Sequence, residues 1–274
     1  MDFANRMTCD RNCQSGGARI VNLRPTKDQR KLRAEATLRT YYRALLGAWG
    51  PQNWWPAESP FEVIVGAFLT QNTAWGNVER ALANLRHARQ LSVAGIRRLP
   101  LADLQRLIRP AGYFRQKARR LKAFVSWLDA NYAGSLAEMF VRPTEELRAE
   151  LLAVDGIGPE TADSILLYAG GHPVFVVDAY TRRILDRHGI LAPDASYDEI
   201  RQSFERALRQ ASDPRQTGAH PRHPVSRMSA ASISPTTRRY NQMHALLVAV
   251  GHQYCRKSEA RCEQCPLAPF LPRR

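Results

Sequence analysis

The chain has 274 residues, 44% of them hydrophobic, with 40 Lys and Arg against 25 Asp and Glu and a formal net charge of +15. That length allows one large domain or two small ones around a well-buried core, and the excess of base points to an acidic partner: DNA, RNA or an anionic membrane. No run reaches transmembrane length and MDFANRMTCDRN lacks the apolar core of a signal peptide, so a soluble cytoplasmic protein is expected, nucleoid-associated if bacterial. In that compartment the five cysteines read as metal ligands or free thiols before disulfides.

Residues 1–25 are polar and aperiodic, which predicts a disordered extension. Thr26 is placed to cap a helix running to about Trp49, with Leu32, Tyr41, Leu45 and Leu46 on its apolar side. Gly50-Pro51 ends it, and Gln52–Pro56 reads as a loop with adjacent tryptophans, Trp54 and Trp55. Neighbouring side chains face different ways, so the two indoles are not expected to share one core position. Pro60–Thr70 reads as a buried helix, followed by Gln71-Asn72-Thr73-Ala74-Trp75. Helical patterns continue through 76–89, 92–98, 101–108, 115–131 and 144–153. Within them Arg115, Lys117, Arg119 and Arg120 read as a solvated basic face. Residues 211–239, rich in Ser, Pro, Thr and Arg, predict a flexible insertion, after which an apolar helix resumes from Tyr240 to Val250. No strand alternation persists, so the fold class is all-α.

The stretch from Leu151 to Leu185 carries the chemistry. An apolar helix end leads into the turn Asp155-Gly156-Ile157-Gly158-Pro159 and then a second helix with Ala162, Ile165, Leu166 and Ala169 at helical spacing. The glycines allow backbone angles forbidden to other residues, and proline suits the first turn of the new helix. Turn amides and a helix N-terminus pointing one way make an anion site. Past the second helix, the apolar run Val174–Val177 ends in a lone acid, Asp178. A phosphate cradle plus a carboxylate at the end of a buried segment points to chemistry on nucleic acid.

GIGPETA followed by PVFVVDAY resembles the helix–hairpin–helix, Gly/Pro-rich, Asp motif of the endonuclease III superfamily of DNA glycosylases. The resemblance runs from about Tyr41 to Pro266 apart from the insertion, where relatives use a short turn. WWP and LTQNT are similar to the 3-methyladenine glycosylase branch. The resemblance implies two helical domains with a DNA-binding cleft between them: residues 61–175 with the hairpin, and 26–60 plus 176–274 with the 211–239 insertion and a cysteine loop at 255–265. It makes Asp178 the catalytic carboxylate facing the glycosidic bond, besides capping the next helix. It puts Trp54, Trp55, Trp75 and Glu160 at the base pocket, where indole faces suit a cationic alkylated adenine. Gln71, Gly156, Gly158 and Thr161 are implied at the DNA, with Gln71 filling the gap left by an extruded base. Tyr113 lies in AGYFRQKA, similar to the family's Gly-Tyr-xx-Lys segment.

Many relatives with lyase activity carry lysine where this chain has Glu160, and a carboxylate forms no Schiff base. Cys255-x6-Cys262-x2-Cys265 is similar to the family's [4Fe-4S] loop, which needs four thiolates, while the fourth position holds Leu271. Cluster loss, an unusual fourth ligand, and recruitment of Cys9 or Cys13 all stay open; His252 nearby reads as structural. The expected function is a monofunctional DNA N-glycosylase of base excision repair that removes damaged, alkylated purines. Its partner is double-stranded DNA with a damaged base, bound by a monomer and without a membrane. The alternatives are a bifunctional glycosylase/lyase for oxidised pyrimidines and a non-catalytic helix–hairpin–helix DNA-binding protein.

Overall fold

The computed structural model describes residues 26–213 and 225–272. The expectations placed on 1–25, Cys9, Cys13 and 214–224 lie outside those residues. Helices begin where the sequence supplies caps. Thr26 and Gln29 form a reciprocal capping box on α1 (Lys27–Trp49), and Ser59 caps α2 (Pro60–Thr70) with proline in its first turn. Then come α3 (Trp75–His87), α4 (Val93–Arg98), α5 (Leu101–Leu107), α6 (Phe114–Tyr132), α7 (Leu136–Phe140), α8 (Thr144–Leu152) and α9 (Pro159–Ser164). A π-helical turn, Ile165–Ala169, extends α9. The chain continues with α10 (Ala179–Arg187), α11 (Tyr197–Arg209) and α12 (Pro235–Gln253). Among the described residues no strand forms beyond an isolated bridge between Cys255 and Ala260, and no helix is long and apolar enough to cross a membrane. The all-α expectation holds.

Every residue of α2 from Phe61 to Leu69 is buried. A helix apolar all round has no face to show water, so α3, α6, α9 and the π turn surround it. Elsewhere α1 packs along α11, and α12 lies on α1, α10, α11 and the π turn. The extended run Val174–Val177 threads this interior, each residue at most 1% exposed. Buried amides without a neighbouring strand need side-chain partners. Phe175 N–H donates to the Glu205 carboxylate at 3.0 Å, and Val177 N–H to the Tyr197 hydroxyl at 3.2 Å. Phe175 also stacks on Phe204 with centroids 4.1 Å apart. Burying such a ring contributes about 1.5–3 kcal/mol, which holds the run in register.

Arg148 of α8 grips Asp163 of α9 with two bonds, Nε at 2.7 Å and Nη2 at 3.2 Å, and also reaches Asp198 at 3.0 Å. Asp163 is fully buried; burial pushes its carboxyl up and Arg148 opposes that shift. Removing Arg148 would take the ion-pair partner from a fully buried carboxylate, so this pair ties the two hairpin helices together.

Several elements differ from the sequence expectation. Leu32 is 66% exposed, because the first turns of α1 run past its neighbours before Leu38, Tyr41 and Leu45 become buried. Helices α7 and α11 were not anticipated, and α12 starts at Pro235, capped by Ser234, well before Tyr240. The part of the expected insertion that is described is seated rather than loose. Ser226 Oγ donates to Trp55 O at 2.9 Å, and Met228 N–H donates to Ala57 O at 3.1 Å. Lys117, expected on a solvated face, is 2% exposed.

Candidate active site

The hairpin turn joins α8 to α9. Gly156 sits at φ +81°, and a Cβ there would fall 2.2 Å from the Arg120 side chain, so both its angle and its space require glycine. Gly158 caps α9 with open space in front of it. Gln71 braces this turn from the end of α2. Its Nε2 donates to Gly156 O at 3.1 Å and Thr161 Oγ at 2.9 Å, while its Oε1 accepts from Arg120 at 3.0 Å. The structure therefore brings Gln71, Gly156 and Thr161 together, with Thr161 only 7% exposed. The next residue, Asn72, is exposed at φ +52°.

Lys117 locks the same corner: its ammonium donates to Leu69 O at 2.8 Å, Thr73 Oγ at 2.6 Å and Ala111 O at 2.8 Å. Three acceptors match its three N–H groups, which is why a lysine is tolerated inside. Burial and the neighbouring Arg120 charge lower it to about 8. Two residues on from Ala111, Tyr113 is 71% exposed at φ +43°.

Asp178 stands where the buried run meets α10. Its Oδ1 accepts Thr181 N–H at 2.7 Å as the helix cap, and its Oδ2 lies 3.6 Å from His244 Nε2. Burial works to raise this carboxyl, yet His244 and the Thr181 contacts outweigh it and hold Asp178 below the usual carboxylate range. Glu160, in the first turn of α9, reaches solvent. Its carboxyl is nonetheless pushed up, by burial first and then by the Asp178 charge, with His244 and Arg182 pulling it back. The Glu160 and Asp178 charges thus act on one another.

The three tryptophans form one cluster. Ring centroids lie 5.7 Å apart for Trp54 and Trp55, 6.3 Å for Trp54 and Trp75, and 5.2 Å for Trp55 and Trp75. The adjacent pair does enter one cluster, contrary to the sequence argument. Trp55 goes deepest, 7% exposed, against Tyr168 and over Gly66, where a Cβ would come 3.1 Å from its ring. Trp54 and Trp75 are half-buried.

Residues 65–210 match the model of the HhH-GPD superfamily base excision DNA repair proteins. A protein of Methanocaldococcus jannaschii named as a DNA repair glycosylase is 43% identical over 84% of this chain and 93% of its own length. The chain belongs to the HhH-GPD superfamily. It is a DNA glycosylase of base excision repair. The H. pylori 3-methyladenine DNA glycosylase, solved with 1,N6-ethenoadenine, is 27% identical with a TM-score of 0.64, covering 80% of this chain and 97% of that one. An endonuclease III–DNA complex shares the fold, with a TM-score of 0.65 at 20% identity over 86% of this chain and 94% of that one.

In this glycosylase Cys255, Cys262 and Cys265 line one pocket with Arg187, His188 and Leu271. Arg187 donates to Cys255 Sγ at 3.2 Å, and burial, together with the nearby Cys255 and Cys262 sulfurs, pushes the Cys265 thiol up. Among the described residues no group of three or more ligating side chains is drawn close enough to hold a metal ion. A cluster bound by four thiolates does not fit this set, because an apolar side chain takes the fourth place. His252 is exposed and outside that pocket.

Sequence reasoning missed His244 and Tyr168. The signal for His244 was a lone imidazole in the apolar stretch MHALLVAV, and for Tyr168 a phenol among ILLYA.

Proposed function

We propose that this glycosylase is monofunctional and releases alkylated, cationic purines from double-stranded DNA, acting as a monomer. The observation that carries the reading is Glu160: the first-turn position of α9, near enough to Asp178 to feel its charge, holds a carboxylate, not an amine. A Schiff base needs an amine. Lys117, on the neighbouring α6, has its three N–H groups engaged in the interior. The likeness to the H. pylori enzyme supports the purine class.

In this reading the extruded base lies against Trp54 and Trp75. A positive ring over an indole gains roughly 0.5–2 kcal/mol when desolvated. The N-glycosidic electron pair leaves with the base and cancels its charge, so the leaving group needs no acid. Asp178 stabilises the positive charge building on the sugar, and water adds its oxygen to C1′ and passes its proton to Asp178, which returns it to solvent. Gly158 and the start of α9 face a backbone phosphate. Gln71 and Thr161 brace the hairpin, and the exposed side chains Asn72 and Tyr113 fill the gap in the duplex. DNA lies across a cleft between residues 61–175 and the terminal helices.

The test is release of free base from a methylated duplex, alongside borohydride treatment of an abasic duplex. Free 3-methyladenine or 7-methylguanine without a trapped adduct is expected. A covalent adduct with the unaltered protein would overturn the monofunctional assignment, and release of oxidised pyrimidines alone would overturn the substrate class.

A further inference from the structure

His244 projects from α12 into the interior and is 5% exposed, between Met243 and Ala245–Leu247, all buried. A buried imidazole is costly unless both nitrogens find partners. One is satisfied: Nδ1 meets the Tyr168 hydroxyl, delivered by the π turn. The other, Nε2, has no partner at bonding distance among the described residues, and Asp178 Oδ2 stands 3.6 Å away. A π turn shifts the side chains after it relative to an α-helix, which is how Tyr168 comes to face both α12 and the tryptophan loop.

The direction of the protons follows. Burial, then the Asp178 charge, keeps Tyr168 well above the ordinary phenol range, so it stays protonated. A carboxylate facing Nε2 favours the imidazole proton on that nitrogen, which leaves Nδ1 to accept from the Tyr168 hydroxyl. The titratable groups facing the ring are Asp178, Glu160 and Tyr168, while Arg182 faces Glu160.

We propose that His244 is the positioning residue of Asp178: Tyr168 holds its Nδ1 and so turns its Nε2 toward the carboxylate, 3.6 Å away, a separation that closes to a hydrogen bond in the reacting complex. This rests on the assignment of Asp178 as the catalytic group. The acid is then held from two elements: Thr181 N–H of α10 bonds Oδ1 at 2.7 Å, and His244 of α12 faces Oδ2 across 3.6 Å. The two together orient the carboxylate and favour its ionised form.

The test compares the full-length protein with His244→Leu, His244→Gln and Tyr168→Phe. In His244→Leu, kcat for base release should fall roughly 10–100-fold, as expected for loss of a hydrogen bond to a charged group. KM for DNA should stay put. The acid limb of the pH profile should move to higher pH, because Asp178 loses the donor that favours its charged form. Glutamine carries an amide near the Nε2 position and should recover most of the rate, and Tyr168→Phe should fall between. A second readout needs no turnover: carbon-13 titration of the Asp178 carboxyl in DNA-free protein, which should shift upward in His244→Leu and much less in His244→Gln. If the wild type released no base from any duplex, the activity assignment would fail alone and this titration would still decide the role of His244. An unmoved Asp178 titration in His244→Leu overturns the proposal. So does a glutamine variant that melts like the wild type yet loses as much rate as leucine.

Discussion

Replacing Asp178 by Asn separates what that side chain does for the fold from what it does for the reaction. Its Oδ1 caps α10 through Thr181 N–H at 2.7 Å, and asparagine caps about as well as aspartate, so the helix start survives. On the other side, an amide N–H turned toward His244 Nε2 would set donor against donor, while the repulsion on Glu160 disappears. The net effect on stability is therefore small, about 1 kcal/mol or a Tm change of about 2–4 °C for a protein of this size. The reaction loses the negative charge that the sugar cation needs. Removing one preorganised electrostatic group costs about 2.7–4 kcal/mol in the transition state, or roughly 10²–10³ in rate. Single-turnover release of free base from an alkylated duplex measures this, with melting and DNA affinity recorded on the same variant at one salt concentration. Near-native release would remove Asp178 from the mechanism. A loss tracked by an equal fall in affinity or folded fraction would make it a structural cap.

Two further outcomes follow from the braced corner and the cysteine pocket. Gln71→Ala should lower Tm by opening the hairpin brace, whereas Asn72→Ala should leave Tm unchanged and slow base extrusion, read with a fluorescent base analogue in the duplex; the reverse pattern would return the gap-filling role to Gln71. Leu271→Cys completes a four-thiolate set in the pocket, so anaerobically purified variant should carry more iron and visible absorbance than the wild type; a wild type already holding four irons per chain would refute the reading of Leu271.

The fold class and most helix positions were legible because the signals were local. Ser59-Pro60, the apolar run Phe61–Leu69 and the hairpin glycines each declare themselves within a few residues. The position of Asp178 at the end of a buried run was equally local. What escaped depended on partners distant in the chain. Lys117 looked like surface base because nothing near it shows that Leu69, Thr73 and Ala111 will surround its ammonium. Gln71 looked like a loop amide free to meet DNA, yet its partners lie at Arg120, Gly156 and Thr161. The adjacent tryptophans were kept apart by an argument that holds for regular helix or strand. In the loop after Asn53, at φ +50°, that argument does not apply.

An acid at position 160 suits the fold. At the first turn of α9 a carboxylate is favoured by the helix N-terminus. Burial and then the Asp178 charge raise it, while Asp178, capped onto Thr181 and facing His244, is held down. Environment thus drives the two carboxyls apart, which is the condition for two acids in one site to take different roles. On the proposed reading Asp178 keeps its charge for the sugar, and Glu160 meets the edge of the base. On the proposed reading, a lysine in place of Glu160 would instead bring an amine toward the charged Asp178, the pairing a lyase requires. The identity of that one side chain would then separate hydrolytic base release from amine attack at C1′ followed by strand scission.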